Sequence, residues 1–165
     1  MIIRKKTLDD CERWVDINIR GWNDNLKGIV SNRVLKLITD NRDERIRKDI
    51  ENFILDDFHY VLEEKGIVLG IIKIKKCMRD KYTDYGEVQA LYLDTPEKGK
   101  GYGKALINKG FEVLKEMGFN KVIIGCLDGN PSNEFYKHIG GSYIFSDYFN
   151  IFDESYLENY YEYHL

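Results

Sequence analysis

The chain is poor in most of the features that mark specialised classes of protein. It has 2 prolines in 165 residues, and no repeat or low-complexity tract, so neither an extended disordered chain nor a fibrous one is encoded. Its 3 cysteines, Cys11, Cys77 and Cys126, are widely separated and never form a CxxC pair. That pattern points away from a disulfide framework or a zinc site and leaves three small apolar residues for a core. The longest apolar run, Gly66 to Ile74, is too short to span a bilayer, and the opening MIIRKKTLDDCERW has no signal-peptide core. A cytoplasmic location without membrane contact is therefore expected. No basic block is present either: 25 Lys and Arg interleave with 28 Asp and Glu, which argues against nucleic acid as a partner. His59, His138 and His164 form no metal or triad pattern, and no metal is expected.

What is present suits an ordinary globular fold. A 43% hydrophobic content spread over 165 residues is enough to bury a core without staples, so a single domain over residues 1–165 is expected. Ile2 to Lys5 reads as a strand. Thr7 and Asp10 form a capping-box pattern that opens a helix with Leu8, Cys11, Val15, Ile19 and Trp22 on one face. Leu26 to Ile38 reads as a second helix and Asn41 to Phe53 as a third, whose mixed charges suit a solvated face. His59 to Glu64 and Ile67 to Lys75, joined by Lys65-Gly66, have the pattern of a tight hairpin, and Tyr85 to Leu93 is a further strand. Then come a glycine-rich turn, a helix from about Gly101 to Met117, a strand Lys121 to Cys126, a short helix near Ser132 to His138 and two aromatic-rich runs. Hairpin-linked strands come first and alternate with helices only later. That order predicts a mixed α/β fold: one mostly antiparallel sheet of six or seven strands with helices on both faces.

The turn Lys98-Gly99-Lys100-Gly101-Tyr102-Gly103-Lys104 sits between a strand and a helix. Its glycines leave backbone amides uncovered where the helix dipole is positive, and its lysines add charge, a combination suited to phosphate. A Walker loop would need glycine where Lys98 stands and a hydroxyl where Ala105 stands; a dinucleotide fingerprint would need glycine at Lys104 or Leu106.

The same turn does resemble the Q/RxxGxG/A signature of the GNAT acetyltransferases, with Lys98 in place of the usual Gln or Arg, a change that keeps the charge and loses the planar fork. Two further segments lie at the expected distances. Glu87-Val88-Gln89-Ala90-Leu91-Tyr92-Leu93 is similar to the family's central strand, and Asn130-Pro131-Ser132-Asn133-Glu134-Phe135-Tyr136 through Gly140-Gly141 resembles its NPxxxFYxxxGG variant. The stretch RGWNDNLKGIVSNRVL is loosely similar to the RSWRxxYxGIxP pattern of many bacterial members.

This resemblance implies an acetyl-CoA-dependent N-acetyltransferase in which a primary amine, small molecule or peptide, attacks directly in a ternary complex, with CoA as product. The implied cofactor contacts are Leu91, Tyr92 and Leu93, the turn residues Lys98, Gly99, Lys100, Gly101, Tyr102, Gly103 and Lys104, and then Asn130, Ser132 and Tyr136. Glu87 takes the role of base, because only a neutral amine attacks a thioester, and Tyr136 that of proton donor to the thiolate. A solvent-facing strand carboxylate and a packed helix aromatic are the structural alternatives for these two. Trp22, Asn25, Gln89 and Tyr148 are expected to line the acceptor site, and a homodimer through the tyrosine-rich end is left open. A noncatalytic acyl-CoA-binding module on the same fold is the alternative function; the pairing of Glu87 with Tyr136 argues against it.

Overall fold

Seven strands, β1 (Ile2–Lys5), β2 (His59–Glu64), β3 (Ile67–Lys76), β4 (Gly86–Leu93), β5 (Lys121–Leu127), β6 (Ser142–Ile151) and β7 (Glu154–His164), form one sheet in the order β1-β2-β3-β4-β5-β7-β6. The computed structural model describes residues 1–54, 58–94 and 99–165. Every neighbouring pair is antiparallel except β4 with β5. The parallel pair is where a helix crosses over, as parallel neighbours require. The β2–β3 hairpin turns on Lys65 and Gly66, both at positive φ (53° and 78°), which is the backbone a two-residue turn between right-twisted strands needs.

Helices α1 (Cys11–Asn25), α2 (Asn32–Asp40) and α3 (Arg42–Glu51) cover one face, and α4 (Tyr102–Glu116) and α5 (Ser132–His138) the other. The alternation of strand side chains sorts the core accordingly. Ile72, Ile74 and Ile124 pack with Leu106, Leu114 and Tyr136 on the α4 side, whereas Val61 and Ile71 pack with Ile17 on the α1 side. Burying one such side chain contributes about 1.5–3 kcal/mol, so this two-sided core supplies the main driving force.

β4 breaks the alternation. Lys73 pairs with Ala90 but Ile74 pairs with Val88, so Gln89 is an extra residue. This bulge lets Val88, Leu91 and Leu93 share the α4 face and turns the Tyr92 ring to α1. The ring lies on Gly21, where a Cβ would come within 2.3 Å of Tyr92 Cδ1.

Several expected boundaries move. The Thr7–Asp10 pair exists, with Thr7 N and Oγ1 donating to Asp10 Oδ2 at 2.7 and 2.9 Å, but it opens a 3-10 turn ahead of α1, leaving Leu8 exposed. Leu26 to Ile38 is not one helix: the chain turns at Gly28 (φ 83°) and α2 begins only after Ser31, whose Oγ accepts from Val34 N at 3.2 Å. On α3 no residue is buried, and Arg42, Arg45 and Arg47 spend their guanidinium groups on Asp16, Asn18, Glu44 and Glu51. All three cysteines are free and buried.

Gly21→Ala gains helix propensity of about 1 kcal/mol but drives a methyl into Tyr92. The clash should win, lowering unfolding free energy by about 1–3 kcal/mol in a urea titration. An increase would show that the ring is free to move.

Candidate functional site

β4 and β5 pair over only three positions, from Gly86↔Val122 to Val88↔Ile124. Beyond these, β4 stays with β3 as far as Gly70↔Leu93, while β5 stays with β7 as far as Leu127↔Glu158. The strands part, and a cleft of about 1310 Å³ opens between them, reaching from the N-terminus of α4 to the C-terminal end of α1. The edge of β4 from Gln89 to Leu93 has no strand partner on this side.

On the α4 side the turn is built for a ligand to approach its backbone. Gly99 and Gly101 have φ of +88° and +78°, and a Cβ at either would meet nothing within 4 Å. Gly101 caps α4 with no side chain, so the amides of Tyr102, Gly103 and Lys104 have no intrahelical acceptor, and Ala105 N is the first to find one, on Gly101 O at 2.9 Å. Gly103 packs close, its would-be Cβ 3.3 Å from Phe135 Cζ. The expected cofactor contacts Leu91, Tyr92, Leu93, Gly99, Lys100, Gly101, Tyr102, Gly103 and Lys104 all line the cleft. The Tyr102 ring, however, is buried in the α4-side core, its hydroxyl donating to Glu64 Oε2 at 2.6 Å, so only its backbone is offered. Lys98 lies outside the described residues. The approach to the turn is anchored at Asp94, which pairs with Arg13 and Arg20 of α1 at 2.6 and 2.5 Å.

α5 is fixed by a buried asparagine outside the expected set. Asn133 Nδ2 donates to Leu127 O and Asn130 O, both at 2.8 Å, and Oδ1 accepts from Tyr161 Oη at 2.7 Å. Asn130 Oδ1 accepts from Ser132 N at 2.9 Å, so capping is one of its roles. Both line the cleft, as does Tyr136. The Tyr136 hydroxyl makes no hydrogen bond within the described protein, and burial pushes its phenol well above the usual tyrosine value.

The α1 side carries the carboxylates. Glu87 lines the cleft with its Oε2 3.5 Å from Lys75 Nζ, and Trp22, Asn25 and Gln89 line the same cleft. Tyr148 does not join them; it is 69% exposed on β6, and Phe149 is the residue of that strand that lines the cleft. The sequence reading also missed Arg79, Gly125, Glu158 and Tyr160. Glu158 lies over Gly125, where a Cβ would be 2.5 Å from its Oε1. A glycine inside an otherwise apolar strand signals such a close approach, but not which residue makes it. Burial raises the Glu158 carboxyl above its ordinary range. Cys126 is desolvated too, its thiol pushed up to about 12. Among the described residues no cluster of His, Cys, Asp or Glu is placed to hold a metal ion, and no helix is long and apolar enough to cross a membrane.

The Acetyltransferase (GNAT) family model matches residues 32–140. The chain belongs to this family. Among curated GNAT-like relatives, it is 32% identical over 89 residues to the uncharacterized N-acetyltransferase YuaI of Bacillus subtilis, covering 54% of this chain and 51% of that protein. It is 31% identical over 107 residues to an uncharacterized N-acetyltransferase of Chlorobaculum tepidum, covering 63% of each. The matched region thus spans from half to less than two thirds of these relatives. The paia N-acetyltransferase of Thermoplasma acidophilum, solved in complex with coenzyme A, superposes with a TM-score of 0.74 at 20% identity over 99% of this chain and 98% of that one. The yncA protein of Salmonella typhimurium, solved with its cofactor acetyl-CoA, superposes at 0.68 with 18% identity over 99% and 92%. At such identities the likeness is one of fold, and it extends the GNAT architecture over nearly the whole chain.

In this GNAT chain a desolvated carboxylate leaves a pH signature. Because the Glu158 value is raised on folding, the folded state holds the proton more tightly than the unfolded state, so stability is lost as pH rises through the folded value. Glu158→Gln should therefore raise the urea midpoint at pH 7, with the gain vanishing below about pH 4, where both states are protonated. An equal gain at both pH values would mean that packing, not ionisation, is responsible.

Proposed function

We propose that this protein transfers the acetyl group of acetyl-CoA directly to a primary amine held in the same cleft, and that residues 1–165 act as one domain in doing so. One observation carries the reading: the gap between β4 and β5 has an uncapped helix N-terminus on one side and carboxylates on the other. The residues fit the cofactor. The amides of 102–104 together with Lys100 and Lys104 form a cradle for a pyrophosphate, open at the two left-handed glycines and tightly packed against Phe135 at Gly103. Asn130, whose amide nitrogen donates to nothing among the described residues, and the free edge of β4 suit an amide-bearing arm. When bound, acetyl-CoA supplies an activated thioester carbonyl.

The protein's own groups divide the proton traffic. Tyr136 is a phenol that carries its proton at neutral pH, as burial reinforces, and its Oη at the cleft serves the departing sulfur as the acid. The thiol of Cys126 also keeps its proton, which removes a covalent acyl-cysteine route. The proton of the incoming ammonium falls to the carboxylates on the α1 side, Glu87 and Glu158. Trp22 and the aromatic residues beside them suit a cationic acceptor. The names of the relatives agree with acetyl transfer to nitrogen, and both solved neighbours described above hold CoA or acetyl-CoA.

Calorimetry with acetyl-CoA, CoA, ATP and NAD tests the cradle. Acetyl-CoA should bind selectively, and Gly101→Glu should weaken it by about 100-fold or more, since it places a carboxylate against the orphan amides. ATP or NAD binding more tightly than CoA would reject the reading. Turnover is then followed as thiol release with a polyamine, an aminoglycoside, an amino acid and a peptide with a free N-terminus. Tyr136→Phe should lower kcat by about 10²-fold while acetyl-CoA affinity is kept. Unchanged kcat would leave Tyr136 as a packing residue.

A further inference from the structure

The two carboxylates of the cleft are not equivalent. Glu87 faces the Lys75 ammonium at 3.5 Å, a paired anion. Glu158 makes no ion pair among the described residues. Its Oε2 accepts from the Tyr160 hydroxyl, and Tyr160 Oη accepts in turn from Arg79 Nη2. Arg79 stacks 4.2 Å above the Tyr160 ring and is held by Asp147, its Nη1 donating to Oδ2 at 3.0 Å. One oxygen of Glu158 is thus tied to an ordered chain. The other, Oε1, lies over Gly125, the first β5 residue past the last β4–β5 pair. This is the mouth of the gap.

We infer that Glu158 Oε1 takes the proton from the incoming acceptor ammonium, and that Tyr160, Arg79 and Asp147 are its positioning chain. The assignment rests on the acetyltransferase reading and goes beyond it, because the family pattern points to Glu87 on β4 and contains nothing on β7. The step is one proton transfer. An N–H bond of the ammonium breaks, an O–H bond forms at Glu158, and the electron pair stays on nitrogen as the attacking lone pair. The proton then leaves to solvent, which accounts for the single proton released when an ammonium and a thioester become an amide and a thiol.

The surroundings tune the group for this role. Burial raises it, and the charges of Glu87 on β4 and Asp147 on β6 push the same way, while the Tyr160 hydrogen bond and the Arg79 charge pull it down. Its own charge is felt by Tyr92, Cys126 and Tyr136, on β4, β5 and α5, so it is central to the cleft. A carboxyl raised by burial holds a captured proton more firmly than an ordinary carboxylate does, which suits a base.

Two measurements test this. In the free protein with carbon-13 glutamate, the carboxyl resonance lost in Glu158→Gln should titrate above the ordinary glutamate range. In Tyr160→Phe it should titrate higher still, because the lost hydrogen bond favoured the ionised form. In turnover with whichever amine of the panel releases thiol, Glu158→Gln should lower kcat/KM at pH 7 by about 10²–10⁴-fold with acetyl-CoA affinity retained, and Glu87→Gln by less than about tenfold. Tyr160→Phe should move the acid limb of the pH profile upward. Titration of Glu158 in the ordinary range, or turnover in Glu158→Gln within about twofold of the unaltered protein, overturns the inference and leaves the acetyltransferase reading standing. Thiol release absent from the unaltered protein with every amine overturns both.

Discussion

The early parting of β4 from β5 is the constraint on which the rest of the molecule depends. A sheet hydrogen-bonded along its full length would have no interior edge and no room for a ligand. Here the bulge at Gln89 turns β4 while β5 is carried away by its pairing with β7, so both strands keep one partner and lose each other. The backbone groups left along β4 are a cost in a folded core unless something fills the gap. The anchors around the gap have the same logic. Asp94 is tied to two arginines of α1, and Asn133 ties the end of β5 to α5 and β7. Each anchor sits where the sheet has stopped supplying support.

The gap also divides the chemistry by face. Alternation of strand side chains sends Cys126 to the face on which α5 carries Tyr136, and Glu87, Glu158 and Tyr160 to the α1 side. Burial acts on both sets, with opposite meaning. It raises the Tyr136 phenol and the Glu158 carboxyl alike, and in the proposed reaction the first gives a proton and the second takes one. A single element, the splayed sheet, thus keeps the proposed proton donor and the proposed proton acceptor on opposite faces.

Much of this was legible from residues alone because the informative segments are local. The turn from Gly99 to Lys104 and the run from Asn130 to Tyr136 specify backbone shape within a few residues, and the structure places both against the cleft. Hairpin register at Lys65-Gly66 was equally local. What was hidden depends on partners far apart in sequence. Tyr148 and Phe149 are adjacent in a run of aromatics, and only the pairing of β6 with β7 decides which of them reaches the cleft. Glu158 gave no signal because its meaning lies in Gly125 and Arg79, 33 and 79 residues earlier. Leu26 to Ile38 misled because its apolar spacing suits a helix, while Gly28 and Ser31 dictate where that helix can begin.

The position of β7 has a consequence for how the chain is made. β6 is synthesised first yet ends up outermost, separated from β5 by the strand that follows it. Until residues 154–164 take their place, β5 presents a bare polar edge and β6 has nothing to lie against. The first half can condense as a β1–β4 unit with its helices, but the β7 side of the cleft waits for an insertion event. A chain whose residues 154–164 have not yet inserted would therefore expose a β5 edge that invites pairing with any extended segment nearby, including the same strand of a neighbouring chain.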